Sequence, residues 1–97
     1  MEMDKRQLIA SAARRSTLTQ DQTREALRAI LDAIAEALAS GDHVALSDFG
    51  RFEMQQYPGR RLHRFDGEGH YSVEDRLVPV FKSSAALRRQ LREGSEG

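Results

Sequence analysis

The chain predicts an α+β fold: a helical hairpin, a three-stranded sheet with a protruding β-hairpin arm, and a short C-terminal helix. Three observations carry this reading. Apolar residues recur at helical spacing between Leu8 and Leu38. From Val44 the pattern changes to alternation of apolar and polar residues, broken by turn signals. Within that region lies a polar, glycine-rich stretch around Asp66-Gly67-Glu68-Gly69 that is too hydrophilic for a core. The 97 residues make a single domain, 1–97. A domain of this size buries a limited share of its surface, so many such chains gain stability by dimerising.

Asp4 is a suitable N-cap for the first helix, whose Leu8, Ile9, Ala12 and Ala13 share helical spacing and which should run to about Arg14. Thr19, with Gln22 three residues on, forms a capping box for a second helix over about 20–40. There Leu27, Ile30, Leu31, Ile34 and Leu38 make one apolar stripe. Ala26, Ala29, Ala33 and Ala37 lie beside it and permit close helix approach. Gly41 is the expected stop. The stripe is wider than two helices can cover, so something else must pack on it. Strands are expected at about 43–47, 51–57 and 71–79. Gly50, inside Phe49-Gly50-Arg51-Phe52, marks a place where the backbone bends or is closely approached. Residues 55–77 read as a long hairpin arm with its tip near 66–69, interrupted at Pro58-Gly59 because proline removes a ladder donor. Val78, Val80 and Phe81 should return to the core. Ser83 or Ser84 caps a last helix carrying Ala86, Leu87 and Leu91, and residues 93–97 should fray.

Several function classes are excluded. Without cysteine there is no disulfide or thiolate zinc site. No apolar run approaches the roughly 20 residues that span a bilayer. No apolar stretch of signal-peptide type follows residues 1–6, so a cytoplasmic protein is expected. His43, His63 and His70 fit no zinc spacing, and no nucleophile triad or carboxylate pair stands out. No enzyme, metal, cofactor or small-molecule substrate is therefore expected. The balance of charge is informative in another way: fifteen acidic residues offset fifteen basic ones. Proteins that neutralise phosphates tend to be net basic, so neutrality counts against strong non-specific nucleic-acid binding, although a basic face with an acidic reverse satisfies both. The basic set comprises thirteen arginines and two lysines. Arginine suits bidentate phosphate contact and minor-groove insertion; a GC-rich coding sequence produces the same bias.

Three motifs carry a family resemblance: the opening Met3-Asp4-Lys5-Arg6-Gln7-Leu8-Ile9, the central Leu46-Ser47-Asp48-Phe49-Gly50-Arg51-Phe52, and Val78-Pro79-Val80-Phe81-Lys82. With gap-free spacing from Phe49 to Pro79, the chain resembles the HU/IHF family of bacterial histone-like DNA-bending proteins over roughly residues 3–92. The resemblance implies an intertwined dimer, either a homodimer or a heterodimer with a related chain. Its interface would be built from Leu27, Ile30, Leu31, Ile34, Leu38, Phe49, Phe52 and Phe81. It also implies double-stranded DNA of the bacterial nucleoid as partner, held on a saddle and bent by two minor-groove arms. The arm departs from the family pattern. Where the family carries Arg-Asn-Pro before the tip, this chain reads His63, Arg64, Phe65, so Phe65 occupies the wedge position. Its ring either stacks on a base step, or packs across the hairpin on Tyr71 or against part of the partner. Arg60, Arg61, Arg64 and Arg76 are matched by Asp66, Glu68, Glu74 and Asp75, and Gln55 and Tyr57 stand where the family places basic residues. DNA binding should be weaker and more salt-tolerant than is usual for the family.

The expected DNA contacts are Lys5, Arg51, Arg60, Arg61, His63, Arg64, Phe65, Lys82, Arg88 and Arg89. Arg60, Arg61 and Arg64 either meet phosphates or pair across the hairpin with Glu74 or Asp75. Lys82, Arg88, Arg89 and Arg92 either flank the saddle or form a solvated helix face. Lys5 and Arg6 occupy a helix first turn, where a partner phosphate would offset an unfavourable dipole. Two functions fit. One is an architectural protein that binds duplex DNA with low sequence specificity and bends it. The other is a protein-interaction module or heterodimer subunit with weak or no DNA binding, because its arms are neutral.

Overall fold

The structure, a computed structural model, describes residues 1–63, 70–73 and 75–96, of which 60–63, 70–73 and 95–96 are described as backbone. The elements in chain order are α1 (Lys5–Arg14), α2 (Gln20–Ala39), β1 (Val44–Leu46), β2 (Gly50–Tyr57), β3 (Arg60–His63), β4 (His70–Val73), β5 (Arg76–Ser83) and α3 (Ala85–Glu96). They fall into two compact units, Met1–Glu36 and Ala37–Gly97.

In the first unit both helices begin with a reciprocal cap. The Gln7 backbone N–H donates to the Asp4 carboxylate and the Asp4 N–H donates to Gln7 Oε1, each at 2.9 Å. Thr19 and Gln22 repeat the arrangement at 2.9 and 3.1 Å. Each box satisfies two of the donors that a helix start leaves over. Ile9 of α1 is buried, as is Thr23 of α2, whose hydroxyl donates to the Thr19 carbonyl at 2.7 Å. Along the apolar stripe of α2, Leu27 and Ile34 are half-buried, whereas Ile30 and Leu31 stay 55% and 44% exposed.

In the second unit Gly41 takes φ 88° past the end of α2, and the Asp42 N–H reaches back to the Ala37 carbonyl at 2.9 Å. β1, β2 and β5 form a three-stranded antiparallel sheet in the order β1-β2-β5, and β3 pairs with β4 as a separate two-stranded ribbon. The strand expected at 71–79 is thus two segments, and the second continues to Ser83. Pro79 does not stop it, because β5 is an edge strand and needs ladder donors on one side only. The expected arm tip at 66–69 lies outside the described residues.

Phe52 pairs with Phe81 across β2 and β5, ring centroids 5.0 Å apart, and Phe49 meets the same Phe81 ring at 5.6 Å in a tilted contact. Phe81 nevertheless remains 43% exposed, so the expected return to the core gives an aromatic cluster with one open side. Gly50 is required by close approach: a Cβ there would meet the Phe81 ring at 2.5 Å and the Lys82 carbonyl oxygen at 2.6 Å. Of the two serines considered as caps, Ser84 takes the role, its Oγ accepting from the Leu87 N–H at 3.0 Å. α3 then runs to Glu96, through most of the tail expected to fray. Among the described residues no helix is long and apolar enough to cross a membrane.

Candidate nucleic-acid interface

Alternation along β2 places Arg51 and Glu53 on one face of the sheet and Phe52 and Met54 on the other. The register pairs Arg51 with Lys82 of β5, which brings Lys82 to the same charged face. Glu53 is 8% exposed and sits at the centre of this group. Lys82 Nζ lies 2.6 Å from Glu53 Oε1, Arg51 Nε 3.2 Å from Oε2, and His43 Nδ1 3.9 Å from Oε2. The Lys82 hydrogen bond, aided by the Arg51, Lys82 and His43 charges and opposed by desolvation, holds the Glu53 carboxyl below the usual carboxylate range.

Arg51 and Lys82 also line a cavity of about 460 Å³, together with Ala45, Leu46, Gly50, Ser83, Ser84 and Arg88. Arg88 is anchored there through hydrogen bonds from Nη1 to the Ser83 carbonyl and hydroxyl. Ser84, the α3 cap, brings the helix start into the same wall. Three cationic side chains around one recess next to a helix N-terminus suit a phosphate oxygen.

At the root of the ribbon the Asp75 carboxylate accepts from the Gly59 backbone N–H and, at 3.4 Å, from Gln56 Nε2. Asp75 therefore ties the two strands together at the Pro58-Gly59 break; pairing with an arm arginine was one of the two alternatives the sequence left open for those arginines. Arg76 lies over the Tyr57 ring at 5.9 Å from its centroid. Arg60, Arg61 and His63 occupy β3 opposite Val73, Ser72 and His70. Arg64 and Phe65 lie outside the described residues. Lys5 belongs to the other unit, where it lines a smaller recess, of about 220 Å³, with Arg24, Leu27, Arg28 and Leu31. Arg89 is exposed on α3. Among the described residues no group of histidines and carboxylates could hold a metal ion.

The family described as "Bacterial DNA-binding protein" matches residues 3–92. The chain is 34% identical over 86 residues to "DNA-binding protein HU" of Geobacillus stearothermophilus, covering 89% of this chain and 96% of the relative. It is 33% identical over 86 residues to the protein of the same name from Clostridium pasteurianum, covering 89% and 94%. The chain belongs to the bacterial HU family. Among solved structures, the fold is similar to the Anabaena HU–DNA cocrystal structure, with TM-score 0.80, 29% identity and coverage of 92% of this chain and 97% of that one. HU from Thermotoga maritima aligns with TM-score 0.65 at 29% identity, covering 92% and 98%.

In this HU-family chain the residues that sequence reasoning missed are Glu53, His43 and Asp75. Glu53 follows Arg51 at the i+2 spacing of a shared strand face, which was legible. Its second cation, Lys82, is visible only once the β2–β5 register is known.

Proposed function

We propose that this HU-family chain is a non-enzymatic architectural protein of the nucleoid that binds double-stranded DNA with low sequence preference and bends it. The observation that carries the reading is the gathering of Arg51, Lys82 and Arg88 around one recess, in a chain whose overall charge is zero. Neutral composition thus coexists with a local basic face, and backbone contact through such a face carries no sequence information in itself. Two copies acting together, most simply as a homodimer, account for the apolar side chains left open in each unit. In the first unit these are Ile30 and Leu31, flanked by Leu27 and Ile34; in the second they are Phe49 and Phe81, beside Phe52. Arms built on the β3–β4 ribbon would enter the minor groove, with Arg60, Arg61, His63 and Arg64 on the backbone and Phe65 as wedge.

Titration of a fluorescent duplex with the full chain across about 50 to about 200 mM salt tests this, because the slope of log K on log salt counts phosphate contacts at about 0.9 each. Binding at low salt that weakens as salt rises is expected. No retention of linear, nicked or four-way DNA at about 50 mM salt would leave the protein-interaction reading in its place. Replacing Phe65 with alanine should reduce the bend, read by end-to-end energy transfer, more than the affinity; an unaltered bend removes the wedge.

A further inference from the structure

We infer that Glu53 is a positioning residue for DNA-backbone contact: a nearly buried carboxylate that fixes Arg51 and Lys82 from below so that both present their outer donors at the recess shared with Arg88. The inference rests on the DNA-binding reading above and adds to it a residue of the opposite charge.

The strand register creates the need. Arg51 and Lys82 are direct partners across β2 and β5. Like charges in that relation repel, and long cationic side chains left to themselves would splay apart into solvent. Glu53, two residues along β2 on the same face, pairs with both: Oε1 accepts from Lys82, and Oε2 lies 3.2 Å from Arg51 Nε as an ion pair. The exposures are graded to match. The Glu53 side chain is 10% exposed, while those of Arg51 and Lys82 are each 52% exposed. The carboxylate is therefore covered by the cations, and the cations keep an open side.

The atoms used decide between anchoring and neutralising. Arg51 meets Glu53 through Nε, the inner nitrogen of its fork. That geometry leaves the two terminal nitrogens for a second acceptor, as required for bidentate phosphate contact. Lys82 offers one of three ammonium protons to Oε1 and retains the others. Arg88 is tethered too, although through its terminal Nη1, which bonds the Ser83 carbonyl and hydroxyl. All three cations of the recess are thus tethered on one side and line it on the other. Such pre-organisation lowers the ordering cost that flexible side chains incur on binding.

The sign of one substitution tests the inference. Glu53→Gln and Glu53→Ala each remove one negative charge near the basic face. Simple electrostatics predicts tighter DNA binding for both. Positioning predicts weaker binding, with the salt slope falling by about 0.9 for each cation per chain that no longer meets a phosphate. Asp42→Asn, an exposed residue with the same charge change, serves as control and should bind at least as tightly as the parent. Tighter binding or an unchanged slope for Glu53→Gln overturns the inference and makes Glu53 a brake. If the parent chain itself fails to bind at about 50 mM salt, the DNA reading falls first and this one with it, which the parent titration alone reveals. A second measurement needs no substitution: the ¹⁵N–¹H signal of Arg51 Nε should stay observable, with little shift, when duplex is added to the parent protein, while the Nη signals move. Loss of the Nε signal on DNA addition would mean that Arg51 leaves Glu53 to bind, and would overturn the inference even if the Gln variant did not fold.

Discussion

A methyl group at position 50 would collide with two ring carbons of Phe81, at 2.5 and 2.7 Å, and with the Lys82 carbonyl oxygen at 2.6 Å. The ring could rotate, but the carbonyl belongs to the β2–β5 ladder and cannot yield without opening it. Gly50→Ala should therefore destabilise the fold by about 1–3 kcal/mol, read from urea midpoints, as overpacked sites do. Glu53 gives a prediction in pH. Its carboxyl ionises more readily in the folded chain than in the unfolded one. The stability it contributes is fully present above the ordinary carboxylate pKa and is lost as pH falls through the lowered folded value. Urea midpoints measured from neutral pH down into the acid range should fall more steeply for the parent than for Glu53→Gln; parallel curves would show that the ion cluster adds nothing. At this scale the sequence was partly legible. The Phe49-Gly50-Arg51-Phe52 pattern flags glycine at position 50, but the groups that approach it, Phe81 and the Lys82 carbonyl, lie on β5, and Glu53 reads as an ordinary surface acid until the β2–β5 pairing brings Lys82 beside it.

Local elements were the most legible part, because their causes are local. Asp4 with Gln7 and Thr19 with Gln22 each close a box within four residues, and the helices start where those residues stand. Asp4→Ala and Thr19→Ala should each cost about 1 kcal/mol in chemical unfolding, and the pair should add. The end of α2 was equally plain from Gly41. The strands were harder. The spacing of 71–79 gave one strand where β4 and β5 are two, because the break depends on Asp75 crossing to the Gly59 N–H, a contact that no local pattern encodes. Asp75→Ala should leave that N–H without its acceptor, so hydrogen exchange at Gly59 should quicken several-fold while exchange in the β2–β5 ladder between Gly50 and Val80 stays as it was. Uniform quickening along the sheet would show that Asp75 supports the whole sheet, not the joint alone.

Among the described residues, exposed large apolar side chains outnumber buried ones: Ile9 is the sole buried hydrophobic, whereas Ile30, Leu31, Leu46, Phe49, Leu77, Phe81 and Leu91 are exposed. A chain that leaves this much apolar surface in water gains from covering it with a second copy. The melting temperature should therefore rise with protein concentration, as it does for obligate dimers, and sedimentation at micromolar concentration should give twice the mass of one chain. A concentration-independent melt with single-chain mass would remove the saddle and its two arms together. One last consequence comes from the joint between sheet and ribbon. Tyr57 faces Arg76 on one side of it and Arg60 faces Val73 on the other, so two residues are skipped on each strand. The interruption is balanced, so the two strands reach β3–β4 still in step with each other. Evolution can therefore shorten or lengthen this joint without disturbing the pairing only by matched steps on both strands; a single-residue deletion on one side alone would put the strands beyond it one place out of step.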